Sequence, residues 1–171
     1  MQKQLLILTF LFTALLACQN EIKKSDYYSY TKRWDLWRVP LLEPYEIASP
    51  TNSDDWFFIL KNPRFSHKDF FDAGEGTDFQ LTNIDSIGLK DSIVIIHSQR
   101  HYWPKLSGEY RTTLIVDART HKQFIFSDEH HRTELKHQLK SLKVENVKLY
   151  LFQQVRNEFQ STMELPKDWI K

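Results

Sequence analysis

The strongest constraint on the fold comes from two apolar, β-branched segments in the middle of the chain. Residues 92–97 read Ser-Ile-Val-Ile-Ile-His, and residues 112–116 read Thr-Thr-Leu-Ile-Val. β-Branched side chains favour strands, and a strand that is apolar on both faces is typical of the buried centre of a sheet. A third apolar segment, residues 123–126, follows a polar stretch at 117–122. The second and third segments therefore predict a β-hairpin.

Three other segments predict weaker strands. Residues 56–60 form a short aromatic run, and residues 79–89 alternate irregularly between apolar and polar side chains. Residues 34–48 look extended, but Pro40 and Pro44 place any strand there at a sheet edge, because proline cannot donate a hydrogen bond to a neighbouring strand.

The last third of the chain predicts helix. Ser127 has the side chain of a helix N-cap, and acidic residues follow it directly. An apolar stripe then recurs at helical spacing, at Leu135, Leu139 and Leu142. A helix over about 128–142 is therefore predicted. A second, short helix is predicted from apolar residues spaced by four, at Val155, Phe159 and Met163. The predicted fold is α+β, a single domain over residues 33–171 with a mostly antiparallel sheet.

The N-terminus has the layout of an export signal. Lys3 is followed by an almost wholly apolar run from Leu5 to Leu16, and polar residues begin at Gln19. The run is about twelve residues long, whereas a membrane-spanning helix needs about twenty. A charged residue before a short apolar run is typical of a signal peptide.

The end of this run reads Leu15-Leu16-Ala17-Cys18. It resembles the lipobox of bacterial lipoproteins, in which the peptide is cut before the cysteine and lipid is attached to it. The resemblance implies a signal peptide over 1–17, lipidation of Cys18 and a tether over 18–32. Cys18 is the only cysteine of the chain, so an intramolecular disulfide is excluded. The resemblance also implies a protein held in the cell envelope, with the outer membrane favoured over the inner because residue 19 is Gln rather than Asp.

Charge and glycine content exclude several partners. Removal of residues 1–17 takes Lys3 with it and leaves 22 basic and 22 acidic side chains. This balance predicts no nucleic-acid partner and no polybasic membrane patch. Only four glycines occur, and none forms a phosphate-binding motif, so no nucleotide cofactor is expected.

The histidines offer little catalytic chemistry at the sequence level. His130, Glu134 and His137 share a helical spacing, but His130 and His137 lie about 10 Å apart along a helix axis, too far for one metal ion. His97 and His101 could form an acid–base site with Asp91 or Asp117, although nothing in the sequence fixes their distances. No metal site, cofactor or catalytic residue is predicted.

The most promising surface in the sequence is aromatic. Residues 98–108 are predicted to form a loop that carries His101, Tyr102 and Trp103, with Trp103 exposed beside Pro104. Aromatic clusters of this kind are enriched in protein interfaces. The sequence therefore favours a lipid-anchored module that binds a protein, as an assembly factor, accessory subunit or immunity protein. A small-ligand or glycan-binding module, or an enzyme that uses His97 and His101, remain alternatives.

Overall fold

The computed structural model describes most of the chain outside its N-terminal segment, namely residues 26–29, 31–33, 36–52, 55–61 and 78–169. These residues form two five-stranded antiparallel sheets and two α-helices. The predicted α+β class with a mostly antiparallel sheet is confirmed. In this part of the chain no helix is long and apolar enough to span a bilayer.

The first sheet is built in chain order, so each strand pairs with the next one along the sequence. Its strands are β1 (Lys32–Arg33), β2 (Leu36–Leu42), β3 (Tyr45–Ser49), β4 (Phe57–Leu60) and β5 (Phe79–Leu81).

The second sheet has the order β10-β6-β7-β8-β9. Its strands are β6 (Ile84–Lys90), β7 (Ile93–Trp103), β8 (Gly108–Asp117), β9 (Lys122–Ser127) and β10 (Tyr150–Leu151). Helix α1 (Arg132–Ser141) follows β9, and helix α2 (Phe152–Thr162) follows β10.

The second sheet is buried on both faces, as its apolar strands predict. Val94 and Ile96 belong to the main core, which the two sheets share with α2. Ile93 and Ile95 point to the opposite face and pack in a smaller cluster under α1. The face toward the first sheet is called the inner face below, and the face that carries α1 is called the outer face. Side chains alternate between these faces along each strand.

Pro40 lies where the first sheet tolerates it. β1 pairs with β2 only at Leu36 and Trp37, whereas β3 pairs with β2 along most of its length. Beyond Arg38, whose N–H donates to the Thr31 carbonyl at 2.8 Å, this side of β2 has no paired strand among the described residues, so the missing N–H of Pro40 interrupts no ladder there. The predicted edge position was wrong, because β2 and β3 are the second and third strands of the sheet; Pro40 is tolerated because its own side of β2 is unpaired there.

Three sequence-based boundaries were wrong. The single strand expected over 79–89 is two strands in different sheets, β5 and β6. The loop expected over 98–108 is mostly strand, because β7 continues to Trp103. The first helix begins at Arg132 rather than at 128. Ser127 ends β9, and its Oγ accepts a hydrogen bond from the His130 N–H at 3.3 Å, so it caps a turn before the helix.

The folded part of the chain begins earlier than the predicted boundary at residue 33. Tyr27 is buried, its hydroxyl donates a hydrogen bond to the Tyr45 carbonyl, and the Arg38 guanidinium lies 4.4 Å from its ring centre. Burial raises the pKa of the Tyr27 hydroxyl above its ordinary value. The tether predicted over 18–32 therefore overlaps the fold at its C-terminal end. Cys18 and the predicted signal peptide lie outside the described residues.

Gly88 gives a test of the packing beside β6. A Cβ at this position would lie 2.8 Å from the Lys148 carbonyl oxygen and 2.8 Å from Val147 Cγ1. Gly88→Ala should therefore lower the free energy of unfolding by about 1–3 kcal/mol. Without this clash, alanine would raise the free energy of unfolding, because it reduces the entropy of the unfolded chain. In the comparison variant Gly108→Ala the nearest atom to the added Cβ is Tyr110 Oη at 2.8 Å, a side-chain atom rather than backbone, so we expect a smaller loss. Urea unfolding compares the two; a stabilised Gly88→Ala protein would contradict the close packing.

Candidate functional site

An irregularity in the hairpin of β7 and β8 decides which side chains reach the surface. Ser98 pairs with Thr112, but the next pair is His101 with Tyr110. Two residues of β7 therefore oppose the single residue Arg111 of β8, which is the arrangement of a β-bulge. The extra residue shifts the alternation of side chains by one position. Each side chain of β7 beyond the bulge therefore points to the opposite face from the one expected by counting along the strand from Ile93.

The bulge separates the two histidines that the sequence placed together. Before the bulge, His97 continues the outer-face series of Ile93 and Ile95. After it, His101 faces inward, and its ring lies 5.2 Å from that of Phe79 in the first sheet. Burial lowers the pKa of His101 to about 4. The hypothesis of an acid–base pair formed by His97 and His101 is therefore wrong.

The bulge also divides the predicted aromatic interface. Trp103 is fully buried, its indole N–H donates to Thr112 Oγ1 at 2.9 Å, and its ring lies 5.2 Å from that of His131. Tyr102, between two inward-facing residues, is 57% exposed. The expectation of an exposed Trp103 was wrong, and of the three predicted interface residues only Tyr102 presents its ring to solvent.

Asp117 is committed to the turn between β8 and β9. Its Oδ1 accepts hydrogen bonds from the Arg119 N–H at 3.0 Å and the Ser92 hydroxyl at 3.2 Å, and its Oδ2 accepts from the Thr120 hydroxyl at 2.7 Å. Burial alone would raise the pKa of Asp117, but these hydrogen bonds outweigh it and lower the pKa. Asp117 therefore stabilises the hairpin instead of assisting His97.

A different acidic residue reaches His97. Thr113 pairs with His97 across β7 and β8, and Thr113 Oγ1 lies 3.0 Å from His97 Nδ1. The same hydroxyl donates to Asp128 Oδ1 at 2.6 Å, and Asp128 Oδ2 lies 3.9 Å from His97 Nδ1. His97, Thr113 and Asp128 thus form one polar cluster on the outer face.

The hydrogen bonds of Thr113 determine the proton position on His97. A hydroxyl has one proton, and that of Thr113 is donated to the Asp128 carboxylate. Thr113 Oγ1 must then accept from His97 Nδ1, so Nδ1 carries a hydrogen. Nε2 has no hydrogen-bond partner among the described residues. The His97 side chain is 20% exposed.

The pKa of Asp128 reports the strength of this cluster. Burial acts to raise it, but the hydrogen bonds with His97 and Thr113, together with the charges of His97 and Arg111, bring the pKa below its ordinary value. The ionised form of Asp128 is therefore favoured by the fold. This contribution to stability is present above the ordinary carboxyl pKa and is lost as the pH falls through the lower, folded value.

Thr113→Val should break the cluster without changing the size of the side chain. Because Thr113 is fully buried and bonds to both partners, we expect the free energy of unfolding to fall by about 1–3 kcal/mol and the pKa of Asp128 to rise toward its ordinary value. Urea unfolding measures the first effect, and NMR titration of the Asp128 carboxyl carbon measures the second. Thr113→Ser retains the hydroxyl, so the pKa of Asp128 should stay low, while loss of the buried methyl lowers the free energy of unfolding by about 1 kcal/mol. An unshifted Asp128 pKa in the valine variant would contradict the assigned hydrogen bonds.

Beyond this cluster, the outer face carries a surface that α1 does not cover. Gln99 Nε2 donates to Asp85 Oδ1 at 3.1 Å, and Arg111 Nη2 lies 3.7 Å from Asp85 Oδ2. Arg111 is 59% exposed and Tyr102 is 57% exposed. The surface formed by Asp85, His97, Gln99, Tyr102 and Arg111 is called the open face below. Its side chains stand on paired strands, so the backbone holds them in fixed positions.

The three helix-spaced polar residues do not gather. His130 precedes α1, and its ring packs edge-on against Tyr110 at 4.6 Å, while Glu134 and His137 are exposed on the helix. Among the described residues no group of three His, Cys, Asp or Glu side chains is close enough to hold a metal ion.

Sequence reasoning missed Thr113 and Asp128 as partners of His97. Asp128 was interpreted as a residue of the first helical turn, although it follows β9 directly. These partners could have been found from the predicted hairpin. Strand alternation places Thr113, residue 126 and residue 128 on the same face of the sheet, opposite to Leu114.

Comparisons of the chain with protein-family models, with curated proteins and with solved structures find no match. The chemistry of the open face is therefore inferred from its own residues.

Proposed function

We propose that this protein is a cell-envelope lipoprotein, anchored by lipid on Cys18, whose domain binds a protein partner through the open face. The observation that supports the anchor most directly is the order Leu15-Leu16-Ala17-Cys18 at the end of a short apolar run. Two or more acyl chains on one residue hold a protein durably in a membrane, whereas one chain holds it only marginally.

The position of the fold is compatible with this anchor. Residue 26 is the first described residue, and Tyr27 is already buried. The eight residue-to-residue steps from Cys18 to Asp26 span at most about 26–29 Å when extended. The proposed tether is therefore short and keeps the domain close to the membrane surface. The absence of Asp at position 19 favours the outer membrane.

The anchor is tested by replacing its cysteine. Cells that express the wild type or Cys18→Ser are fed an alkyne-modified palmitate, and their membrane and soluble fractions are separated. We expect the wild type to carry the label and to remain with the membrane, and the variant to lose the label. Removal of the signal peptide is followed by mass spectrometry. An unlabelled wild type that retains a free thiol at Cys18 would rule out the anchor.

The composition and rigidity of the open face support protein binding. Tyr and Arg are the residue types most enriched among side chains that dominate binding energy, and here Tyr102 and Arg111 both stand exposed on one strand pair. Their backbone is held by the β7–β8 ladder, so little conformational entropy is lost when a partner binds.

The partner is identified by crosslinking from the surface itself. A photoreactive phenylalanine derivative replaces Tyr102 in the full chain, and a control variant carries it at Ser161, which is exposed on α2. We expect one abundant crosslinked protein from position 102 that is absent from position 161. The purified partner should then bind the Arg111→Ala variant at least about fivefold more weakly. Equal crosslinking from both positions, or unchanged binding by Arg111→Ala, would contradict the assignment of the open face.

A further inference from the structure

The charge of the whole chain is balanced, but basic side chains concentrate in one region on the outer side of the second sheet. Within residues 132–148 only Glu134 and Glu145 are acidic. Five basic side chains occur in the same stretch and all are exposed, namely Arg132, Lys136, Lys140, Lys143 and Lys148.

The helical spacing of α1 gathers three of these charges. Arg132, Lys136 and Lys140 are four residues apart, so they form one row along the helix. The apolar side chains Leu135 and Leu139 pack against the second sheet, which keeps the basic row on the solvent side. Glu145 lies beside Lys136 and Lys140 and offsets part of their charge, but the stretch retains a basic surplus.

The segment that follows α1 carries an exposed leucine on the same face of the sheet. Residues 147–149 cross β6 on its outer face, where Gly88 leaves room for the Lys148 carbonyl and for the side chains of Val147 and Leu149. Val147 packs in the cluster under α1, whereas Leu149 remains 43% exposed. Basic side chains with an exposed apolar side chain on the same face are typical of surfaces that lie on lipid, where the charges contact headgroups and the apolar group enters the interface.

We propose that α1 and residues 143–149, called the basic ledge below, lie flat on an anionic phospholipid surface. The proposal rests on the proposed lipid anchor, because the short tether is what keeps the ledge within reach of the bilayer. Each Lys or Arg near an anionic membrane strengthens attachment by about fivefold. Lys148 Nζ lies 4.2 Å from the centre of the Tyr150 ring, and Asp168 offsets part of its charge. The other four basic side chains, opposed by Glu134 and Glu145, are sufficient to orient a domain that is already tethered.

The basic ledge begins near the open face and runs away from it along the sheet, because Arg132 directly follows His131, whose ring lies 5.2 Å from that of Trp103. Ile95 packs under α1, and Tyr102 lies seven residues further along β7, about 23 Å away at the rise of a strand. Residues 147–149 lie over Gly88, which pairs with Ile95, so contact of this part of the ledge with lipid does not cover Tyr102.

The full lipidated protein allows a direct test, because its only cysteine is Cys18. Once Cys18 carries lipid, Asn146→Cys introduces the single reactive thiol, at an exposed position of the ledge. It is labelled with a polarity-sensitive dye, and the protein is reconstituted into vesicles of phosphatidylcholine alone or with 30% phosphatidylglycerol. The matched label is placed by Ser161→Cys on α2, whose neighbour Gln160 bonds to Asn52 near the first sheet.

If the ledge lies on lipid, the emission of the dye at position 146 should shift to the blue and be quenched by brominated lipid in the anionic vesicles. Little change is expected in neutral vesicles or for the dye at position 161. Lys136→Glu combined with Lys140→Glu should abolish the shift. Lys140→Glu alone changes the charge by two units, so it should reduce the ratio of docked to undocked protein by roughly 25-fold. Arg119→Glu is the control, because it also replaces a basic side chain by an acidic one but lies outside the basic ledge. Arg119 is in an exposed turn whose His121 contacts Tyr45 of the first sheet.

Three results would overturn the proposal: equal dye signals in neutral and anionic vesicles, insensitivity to Lys140→Glu, or a shift that depends only on protein density, which would indicate contact between two copies of the chain. Failure of the anchor is recognised separately. In that case the dye also reacts with Cys18 of the protein without an added cysteine, and the protein does not remain in washed vesicles.

Discussion

Trp103→Ala is expected to lower the free energy of unfolding by about 3–5 kcal/mol, the range observed for large aromatic side chains removed from a core. Trp103 is fully buried between the sheets, and its ring lies 5.2 Å from that of His131. Its indole N–H donates to Thr112 Oγ1, and that hydroxyl donates in turn to the Tyr110 carbonyl at 3.0 Å. The substitution therefore leaves a cavity and removes one link of a buried hydrogen-bond chain.

Two further variants separate these contributions. Trp103→Phe retains most of the packing but loses the N–H donor, so we expect a loss of about 1–2 kcal/mol. Tyr102→Ala, at the exposed neighbouring position, should cost less than about 1 kcal/mol. Urea unfolding followed by circular dichroism measures all three. Similar losses for Trp103→Ala and Tyr102→Ala would mean that the alternation beyond Ser98 is not reversed, and the bulge would be wrong.

The parts of the fold that follow from local pattern were predictable from the sequence. The apolar run from Ile93 to Ile96 gave a central strand, because both of its faces are covered, one by the first sheet and the other by α1. The Leu135 and Leu139 stripe gave the helix that covers the outer face. These predictions depended on side-chain periodicity, which the sequence displays directly.

The location of the exposed aromatic side chain was not predictable in the same way. Strand alternation from His97 places His101 on the outer face and Tyr102 on the inner face, the opposite of what the structure shows. The difference is one unpaired residue between Ser98 and His101. A bulge depends on how two strands pair, so the residues of β7 alone do not predict it. The link between His97 and Asp128 was missed because it joins separate elements through the buried Thr113.

Acid should destabilise the protein through His101. Burial against Phe79 lowers its folded pKa to about 4, whereas a histidine in an unfolded chain titrates near 6.5. Above about pH 6.5 both states are neutral at this residue, and stability does not depend on pH through it. As the pH falls from 6.5 to 4, only the unfolded state gains the proton, so the free energy of unfolding decreases. The full difference in pKa corresponds to about 3 kcal/mol, and partial solvent access at the ring should reduce this to about 2 kcal/mol.

His101→Phe isolates this effect, because phenylalanine keeps the ring beside Phe79 and does not titrate. The free energy of unfolding of wild type and variant is measured by urea unfolding at pH 7.5, 5.5 and 4.2. Between pH 7.5 and 4.2 the wild type should lose about 2 kcal/mol more of this free energy than the variant. His137→Gln, which replaces an exposed histidine on α1, should retain the full decline. The contribution of Asp128 is lost only below about pH 4, because its pKa lies under the ordinary carboxyl value, so it does not enter this window. A decline that is equal in wild type and His101→Phe would show that His101 accepts its proton without unfolding, and that the bulge does not hold this ring inside the sandwich.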